Sequence, residues 1–273
     1  MTSRRAELQK RARAAYHRVL RAREHRVVIL TEPPPPSPYP AIFLVGCTRS
    51  GTSLLRRIVD SHSRIACPPE SHFLAPLLGV LGDRRSMLGL ESMGFTRPVV
   101  VERIREVGER FFLEYAASCQ KPRWADKTPF YVDHLDELDE LFAGDARYVM
   151  IYRHGLDVVH SMTQALAGFV QTLPAPDNSG EHRPVRAAAA YWSEKVERMR
   201  DFELRHPDRV LHLRYEQLTT SPAEEVGRVF TFLDEEFEPA TLDFNATHHD
   251  EGLEDGKVRA SRSFEPAIGH YRG

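Results

Sequence analysis

A glycine-rich loop with several hydroxyl groups is the first stretch of the chain whose residue types could do chemistry. The segment GCTRSGTSLLRRIVDSH nearly matches the phosphate-binding pattern G-x-x-x-x-G-K-[ST]. Gly46 and Gly51 let the backbone fold closely around an anion, and N–H groups at the start of a following helix point at that anion. Thr52 stands where the pattern has its lysine, and a basic residue, Arg49, lies three positions earlier. The loop therefore predicts binding of a phosphate-bearing ligand, with the basic residue of the protein at a different position from the usual lysine. The loop's hydroxyl donors are Thr48, Ser50, Thr52 and Ser53.

A second pairing of a basic group with a hydroxyl follows in the segment MIYRHGLDVVHS. Arg153 ends a predicted strand, and Ser161 lies about two turns into the helix that follows. An arginine fork beside a hydroxyl suits a second phosphate group. The alternative for Arg153 is an ordinary surface pair with a carboxylate.

The elements that must position these residues are short apolar strands alternating with amphipathic helices. AIFLVG, ARYVMIYR and RVLHLRYEQL each predict a buried strand that runs into a loop or turn and then a helix, and KPRWADKTP and SRIAC predict two more strands. This alternation indicates an α/β fold with three layers, in which helices flank a central parallel sheet. Ligands bind such sheets beyond the carboxyl ends of the strands, where these motifs fall.

Length and composition exclude several classes of protein. The 273 residues suit one large domain or two small ones, and a net charge of -2 argues against a dedicated nucleic-acid binder. No apolar run approaches the roughly 18 residues of a membrane span. The N-terminus lacks the apolar core of a secretory signal, and the spacing of the three cysteines indicates neither a disulfide framework nor a zinc site. We expect a cytoplasmic protein with free thiols.

The chain divides at a proline-rich stretch near residue 40. Residues 1–40 predict a basic helix followed by a stiff linker, and residues 41–273 predict the main domain. The basic helix is expected to pack on the domain or on a second subunit, which leaves a homo-oligomer open. Binding to an anionic membrane or an acidic partner is the alternative.

Three segments together resemble a known family. FLVGCTRSGTSLL, MIYRHGLDVVHSM and LRYEQLTTSPAEEVGRVFTFL are similar, in the same order, to the sulfotransferases that use 3′-phosphoadenosine 5′-phosphosulfate (PAPS). The similarity is greatest to the branch that includes bacterial and tyrosylprotein sulfotransferases, and it runs from about Ala41 to Phe244. It implies the sulfotransferase variant of the P-loop nucleotide triphosphatase fold. It also implies transfer of a sulfuryl group from PAPS to a hydroxyl, giving a sulfate ester and adenosine 3′,5′-bisphosphate.

The resemblance also implies which residues bind PAPS. The glycine loop would hold the 5′-phosphosulfate, with Arg49 near the bridging oxygen. Arg153 and Ser161 match the residues that bind the 3′-phosphate, and Tyr215 matches a tyrosine near the adenine and that phosphate. The implied cofactor-binding set is Arg49, Ser50, Gly51, Thr52, Ser53, Arg153, Ser161 and Tyr215.

Catalytic roles follow from the same resemblance. Glu70, in CPPESHFL, matches the general base for the acceptor hydroxyl, and His72 is the second candidate. Lys127, in WADKTPFY, matches a lysine that balances charge on the sulfuryl group, a role it would share with Arg49. The alternatives are a solvated loop carboxylate for Glu70 and a surface lysine beside Asp126 for Lys127. A sulfuryl group carries one negative charge where a terminal phosphoryl group carries about two, so we expect protein cations to suffice without a metal.

The acceptor and the tail stay open at this point. A peptidyl or a small-molecule hydroxyl fits equally, and the phenylalanines within 73–120 and 164–186 belong either to an apolar acceptor pocket or to the core. Two other functions compete with sulfuryl transfer: a P-loop kinase or nucleotide triphosphatase, and a non-catalytic phosphate-binding module. The tail residues that could touch the cofactor are Lys257, Arg259, Ser261, Ser263, His270 and Arg272.

Overall fold

Five parallel strands form the sheet at the centre of the protein. The computed structural model describes residues 37–174 and 183–250. The predicted parallel α/β sheet is confirmed, and every predicted strand is present. The strands are β1 Ala41–Val45, β2 Ile65–Ala66, β3 Arg123–Asp126, β4 Ala146–Tyr152 and β5 Val210–Arg214.

The order of the strands puts β1 in the middle and creates a switch point beside it. The order is β2-β3-β1-β4-β5, so the chain fills one side of β1 first and then crosses to the other. Phe43 of β1 is in register with Asp126 of β3 and with Tyr148 of β4. All five carboxyl ends face one edge, and open α/β sheets bind ligands at such a switch point.

Helices cover both faces of the sheet. Several begin with proline in the first turn, where its missing N–H costs no hydrogen bond, and the Asp83 carboxylate caps α3 by accepting from the Ser86 N–H at 2.8 Å. The helices are α1 Thr52–Asp60, α2 Leu74–Gly82, α3 Arg84–Ser92, α4 Arg97–Ser118, α5 Leu135–Leu141, α6 Gly155–Ala165, α7 Ala167–Val170, α8 Pro184–Arg205, α9 Tyr215–Thr220 and α10 Pro222–Phe232. Short 3-10 helices span Pro129–His134, Pro207–Arg209 and Pro239–Asp243.

Side chains from β1 alternate between two apolar cores, one on each face of the sheet. Phe43 lies in the core beneath α2, α4, α5 and α8, where its ring centroid lies 5.2–5.8 Å from those of Trp124, Tyr131, Phe142 and Tyr148. Ile42 and Leu44 point to the opposite core, which α1 and α10 cover. Burial on both faces explains the continuous apolar run of β1 and confirms the predicted three layers.

The structure changes one boundary and leaves some predictions untested. RVLHLRYEQL is strand only as far as Arg214, because Tyr215 already begins α9. Residues 1–36 of the predicted basic helix and linker, and the tail residues from Lys257 onward, lie outside the described residues. The boundary between 40 and 41 stays a prediction, although β1 begins at Ala41.

Candidate active site

The glycine loop makes a tight turn between β1 and α1. The Ser50 N–H donates to the Cys47 carbonyl at 3.0 Å, and both Arg49 (φ 71°) and Gly51 (φ 95°) adopt the left-handed conformation. Among the described residues, no side chain caps α1 and no acidic residue lies in its first turn. The first N–H groups of α1 are therefore available to an external anion.

The two loop glycines are required by close contacts with β4 and α9. A Cβ on Gly46 would lie 2.7 Å from Thr52 Cγ2 and 2.8 Å from Ile151 Cγ2. A Cβ on Gly51 would lie 2.3 Å from Cδ2 of the Tyr215 ring. Thr52, at the lysine position of the pattern, is buried. On the side that faces β4 and α9, the glycine loop thus consists of backbone without side chains at Gly46 and Gly51.

Four of the predicted site residues meet beside this loop. Arg49 Nε donates to Ser161 Oγ at 2.9 Å, and Arg153 Nη1 donates to the carbonyl of Arg49 at 3.1 Å. The Arg153 guanidinium also stacks over the Tyr215 ring, 4.4 Å from its centroid. These residues follow three different strands, so the sheet edge assembles them into one cluster of two guanidinium groups and a hydroxyl.

The cluster fits an anionic ligand. Arg153 Nε is buried and has no hydrogen-bond partner within the described ranges, so one donor of a fixed cation is unused. The alternative of a carboxylate partner for Arg153 is wrong for the described residues, since none of them forms an ion pair with it. Arg49 and Ser161, expected near the 5′-phosphosulfate and the 3′-phosphate respectively, are in direct contact, and their separate roles stay predictions.

Glu70, in the loop after β2, and Lys127, directly after β3, form an ion pair between a half-buried carboxylate and a fully buried ammonium group. Lys127 Nζ donates to Glu70 Oε1, and His72 Nε2 lies 2.9 Å from Glu70 Oε2. The Lys127 side chain is 0% exposed and that of Glu70 is 15% exposed. Both alternatives, a surface lysine and a solvated carboxylate, are therefore wrong.

The pair sets the protonation state of Glu70. Burial alone would raise the pKa of this carboxyl group, but the contact with His72 and the positive charge of Lys127 together outweigh burial and lower that pKa below its ordinary value. Glu70 is consequently a carboxylate at neutral pH, able to accept a proton.

Asp126 is a residue of the site that sequence reasoning missed. It is fully buried at the end of β3, where its Oδ2 accepts from Ser71 Oγ at 2.8 Å and from the Tyr131 hydroxyl. Its position directly before Lys127 was the only signal in the sequence, and nothing there shows that Ser71 lies beside it.

Metal-binding groups of side chains and membrane-spanning helices are both absent from the described residues. Over 37–174 and 183–250, no group of three or more His, Cys, Asp or Glu side chains has the arrangement of a metal site. None of the helices in these ranges is long and apolar enough to cross a bilayer.

Comparison with known proteins agrees with the geometry. The sequence model described as "Sulfotransferase family" matches residues 40–239. Protein-tyrosine sulfotransferase 1 of Danio rerio is 27% identical over 218 residues, covering 78% of this chain and 56% of the relative. The protein-tyrosine sulfotransferase of Drosophila melanogaster is 29% identical over 220 residues, covering 78% of this chain and 40% of the relative. The chain thus spans about half the length of these relatives.

A solved structure shares the fold. The sulfotransferase domain from the curacin biosynthetic pathway has a TM-score of 0.61 at 20% identity, covering 85% of this chain and 89% of that domain. At this identity the likeness concerns the fold alone.

Replacing Gly51 by alanine is expected to destabilise the protein. The left-handed backbone and the overlap with the Tyr215 ring together should cost about 2–4 kcal/mol of unfolding free energy. Urea unfolding followed by circular dichroism measures the change. The control is Gly79→Ala in α2, whose Cβ meets nothing within 4 Å and which should stabilise by about 0.5–1 kcal/mol. Equal midpoints for the two variants would contradict the contact between Gly51 and Tyr215.

Proposed function

Since the chain belongs to the sulfotransferase family, we propose that it transfers a sulfuryl group from PAPS to an acceptor hydroxyl. The main support for the proposal is that two groups of side chains lie at the edge of the sheet where the strands have their carboxyl ends. One is the glycine loop with the cluster of Arg49, Ser161 and Arg153. The other is the ion pair of Glu70 and Lys127. The first suits a nucleotide with two anionic groups, and the second suits proton removal beside a developing negative charge.

The nucleotide would be held by groups that the described residues leave available. The N–H groups of the glycine loop and of α1 suit the 5′-phosphosulfate. Arg153, with its unused Nε, and Ser161 suit the 3′-phosphate. Tyr215 stacks on Arg153 and fixes the plane of the guanidinium. Ser50 in the loop, and Thr52 and Ser53 in the first turn of α1, would contribute backbone or hydroxyl donors.

Glu70 would act as the general base. The acceptor oxygen forms its bond to sulfur, the bond from sulfur to the bridging oxygen breaks, and the hydroxyl proton passes to Glu70. Protonation of Glu70 removes the negative charge that pairs with the Lys127 ammonium group. The ammonium group would then stabilise the negative charge that develops on the sulfuryl group during transfer. Arg49 would share this role, and His72, which touches Glu70 Oε2, would orient the carboxylate.

The acceptor is proposed as a peptidyl or small-molecule hydroxyl with an apolar body. The names of the two animal relatives support peptidyl tyrosine as one member of this class. The rings around Glu70 support an apolar neighbour, because Phe130 is 43% exposed and its ring centroid lies 5.8 Å from that of His72. Phe111 is likewise exposed and contacts Phe73, whereas Phe112 belongs to the core.

Other features of the proposal stay predictions. These are the absence of a metal requirement, a cytoplasmic location, a possible homo-oligomer and the lack of a nucleic-acid partner. The kinase alternative finds little support, because Thr52 at the lysine position is buried against Gly46.

Calorimetry and a transfer assay test the function. Adenosine 3′,5′-bisphosphate should bind in the presence of EDTA, whereas tight binding of magnesium-ATP alone would favour a kinase or triphosphatase. The assay offers PAPS with 4-nitrophenol, with neutral and acidic tyrosine peptides, and with an alkyl glucoside. Bisphosphate binding with no transfer to any of these would favour the non-catalytic module.

Glu70→Gln should abolish most turnover while sparing nucleotide binding. Loss of a positioned base typically costs about 10²–10⁴ in rate, so kcat should fall by at least about 100-fold. The affinity for the bisphosphate should stay within about threefold, because Glu70 lies outside the arginine cluster. Glu238→Gln is the control: it lies 3.6 Å from His62 near the amino end of β2. Equal turnover in wild type and Glu70→Gln would remove Glu70 from its role.

Arg153→Ala should lower the affinity for nucleotides that carry a 3′-phosphate and leave the affinity for other nucleotides almost unchanged. A lost hydrogen bond to a charged group corresponds to about 1.5–3 kcal/mol, so affinity for the bisphosphate should drop roughly 10- to 150-fold. Adenosine 5′-phosphate should bind almost as before. The control is Arg147→Ala, which removes an arginine stacked on Phe232 from the same strand. Equal losses for the two nucleotides would show that Arg153 does not contact the 3′-phosphate.

A further inference from the structure

One carboxylate oxygen connects the two loops that carry the ion pair of Glu70 and Lys127. Asp126 Oδ2 accepts from Ser71 Oγ at 2.8 Å, from Thr128 Oγ1 at 3.3 Å and from the Tyr131 hydroxyl. Ser71 lies between Glu70 and His72 in the chain, and Thr128 directly follows Lys127. Each partner of the ion pair therefore has a neighbour in the chain that is bonded to the same oxygen.

The loop after β2 needs such a restraint. His72 has φ 56°, in the left-handed region that costs free energy for a residue other than glycine. Its N–H donates to Thr128 Oγ1 at 3.4 Å, and the preceding Ser71 donates to Asp126. Strained backbone persists only where surrounding contacts determine it, and here those contacts converge on Asp126.

The carboxyl group of Asp126 carries an energetic cost that core packing does not explain. Burial raises its pKa to about 6, although hydrogen bonds from Tyr131 and Ser71 and the charge of Lys127 act in the opposite direction. Cys67 also interacts electrostatically with this carboxyl group. Its Oδ1 is buried with no hydrogen-bond partner in the described ranges. A half-satisfied buried carboxylate destabilises a fold, so a role beyond packing is indicated.

We propose that Asp126 is the positioning residue of the Glu70–Lys127 pair, holding the loops after β2 and β3 so that the base and the lysine remain in contact. It acts through Ser71 and Thr128. The consequence for turnover rests on the proposed function, whereas the consequence for the geometry of the pair does not.

Two substitutions separate positioning from stability. Ser71→Ala removes the bond between Asp126 and the Glu70 loop and leaves the core intact, and Asp126→Asn removes the charge while keeping one acceptor oxygen. In both, kcat for the best acceptor of the panel should fall by about 10- to 100-fold, as expected for a displaced catalytic group. KM for PAPS should stay within about threefold, because the hydrogen bonds of Asp126 within the described residues go to Ser71, Thr128 and Tyr131 and not to the arginine cluster. Ser71→Thr keeps the hydroxyl and should restore most of the turnover.

A readout independent of activity completes the test. Carbon-13 NMR of the labelled Glu70 carboxyl group should show a pKa below the ordinary value in the wild type, as its contacts with His72 and Lys127 dictate. In Ser71→Ala that pKa should rise, because burial is then less opposed. Tyr148→Phe is the control: it removes a hydroxyl from a different aspartate, Asp139, and should leave the Glu70 titration unchanged.

The outcomes distinguish the two proposals. An unchanged Glu70 titration and unchanged kcat in folded Ser71→Ala and Asp126→Asn would overturn the positioning role. A wild type that neither binds the bisphosphate nor transfers sulfate would overturn the proposed function, while a shifted Glu70 titration in Ser71→Ala would still support the positioning role.

Discussion

A buried lysine is the constraint on which the arrangement of the site depends. Removing the Lys127 ammonium from water costs several kcal/mol unless an anion and further hydrogen bonds compensate. Glu70 supplies that anion, and it can do so only because β2 pairs with β3, with Ile65 opposite Arg123 and Ala66 opposite Trp124. A sheet contact between short strands thus brings the two residues close together, and the ion pair favours the charged form of Glu70.

The cation of the glycine loop has been displaced rather than lost. In the usual pattern a lysine follows the second glycine, but here the buried Thr52 packs against the loop instead. Arg49 supplies the positive charge of the loop. Its backbone is left-handed, and its side chain donates a hydrogen bond to Ser161. The Arg49 and Arg153 guanidinium groups therefore lie on the side of β1 where β4 and β5 lie, and the pair of Glu70 and Lys127 lies on the side of β2 and β3.

Local pattern was enough to predict the strands, the glycine loop and the positions of the basic residues, because each is encoded within a short segment. Contacts between distant segments were not predictable in this way. Lys127 and Glu70 are separated by 57 positions, and Arg49 and Ser161 by 112. Without the sheet order, Lys127 could be interpreted as a surface residue, and the only signal for Asp126 was its position directly before Lys127. Resemblance to a family supplied roles for residues, but the ion pair and the shared oxygen of Asp126 emerged only from three-dimensional contacts.

The packing of Tyr215 on Gly51 has a consequence for biosynthesis. The glycine loop after β1 packs closely at Gly51 against an aromatic ring that follows β5 in the chain. A nascent chain that has left the ribosome only as far as β4 can form the central strands, but it has no ring to close over the glycine. The tight turn at Gly51 is therefore completed only after synthesis has proceeded past β5 to Tyr215.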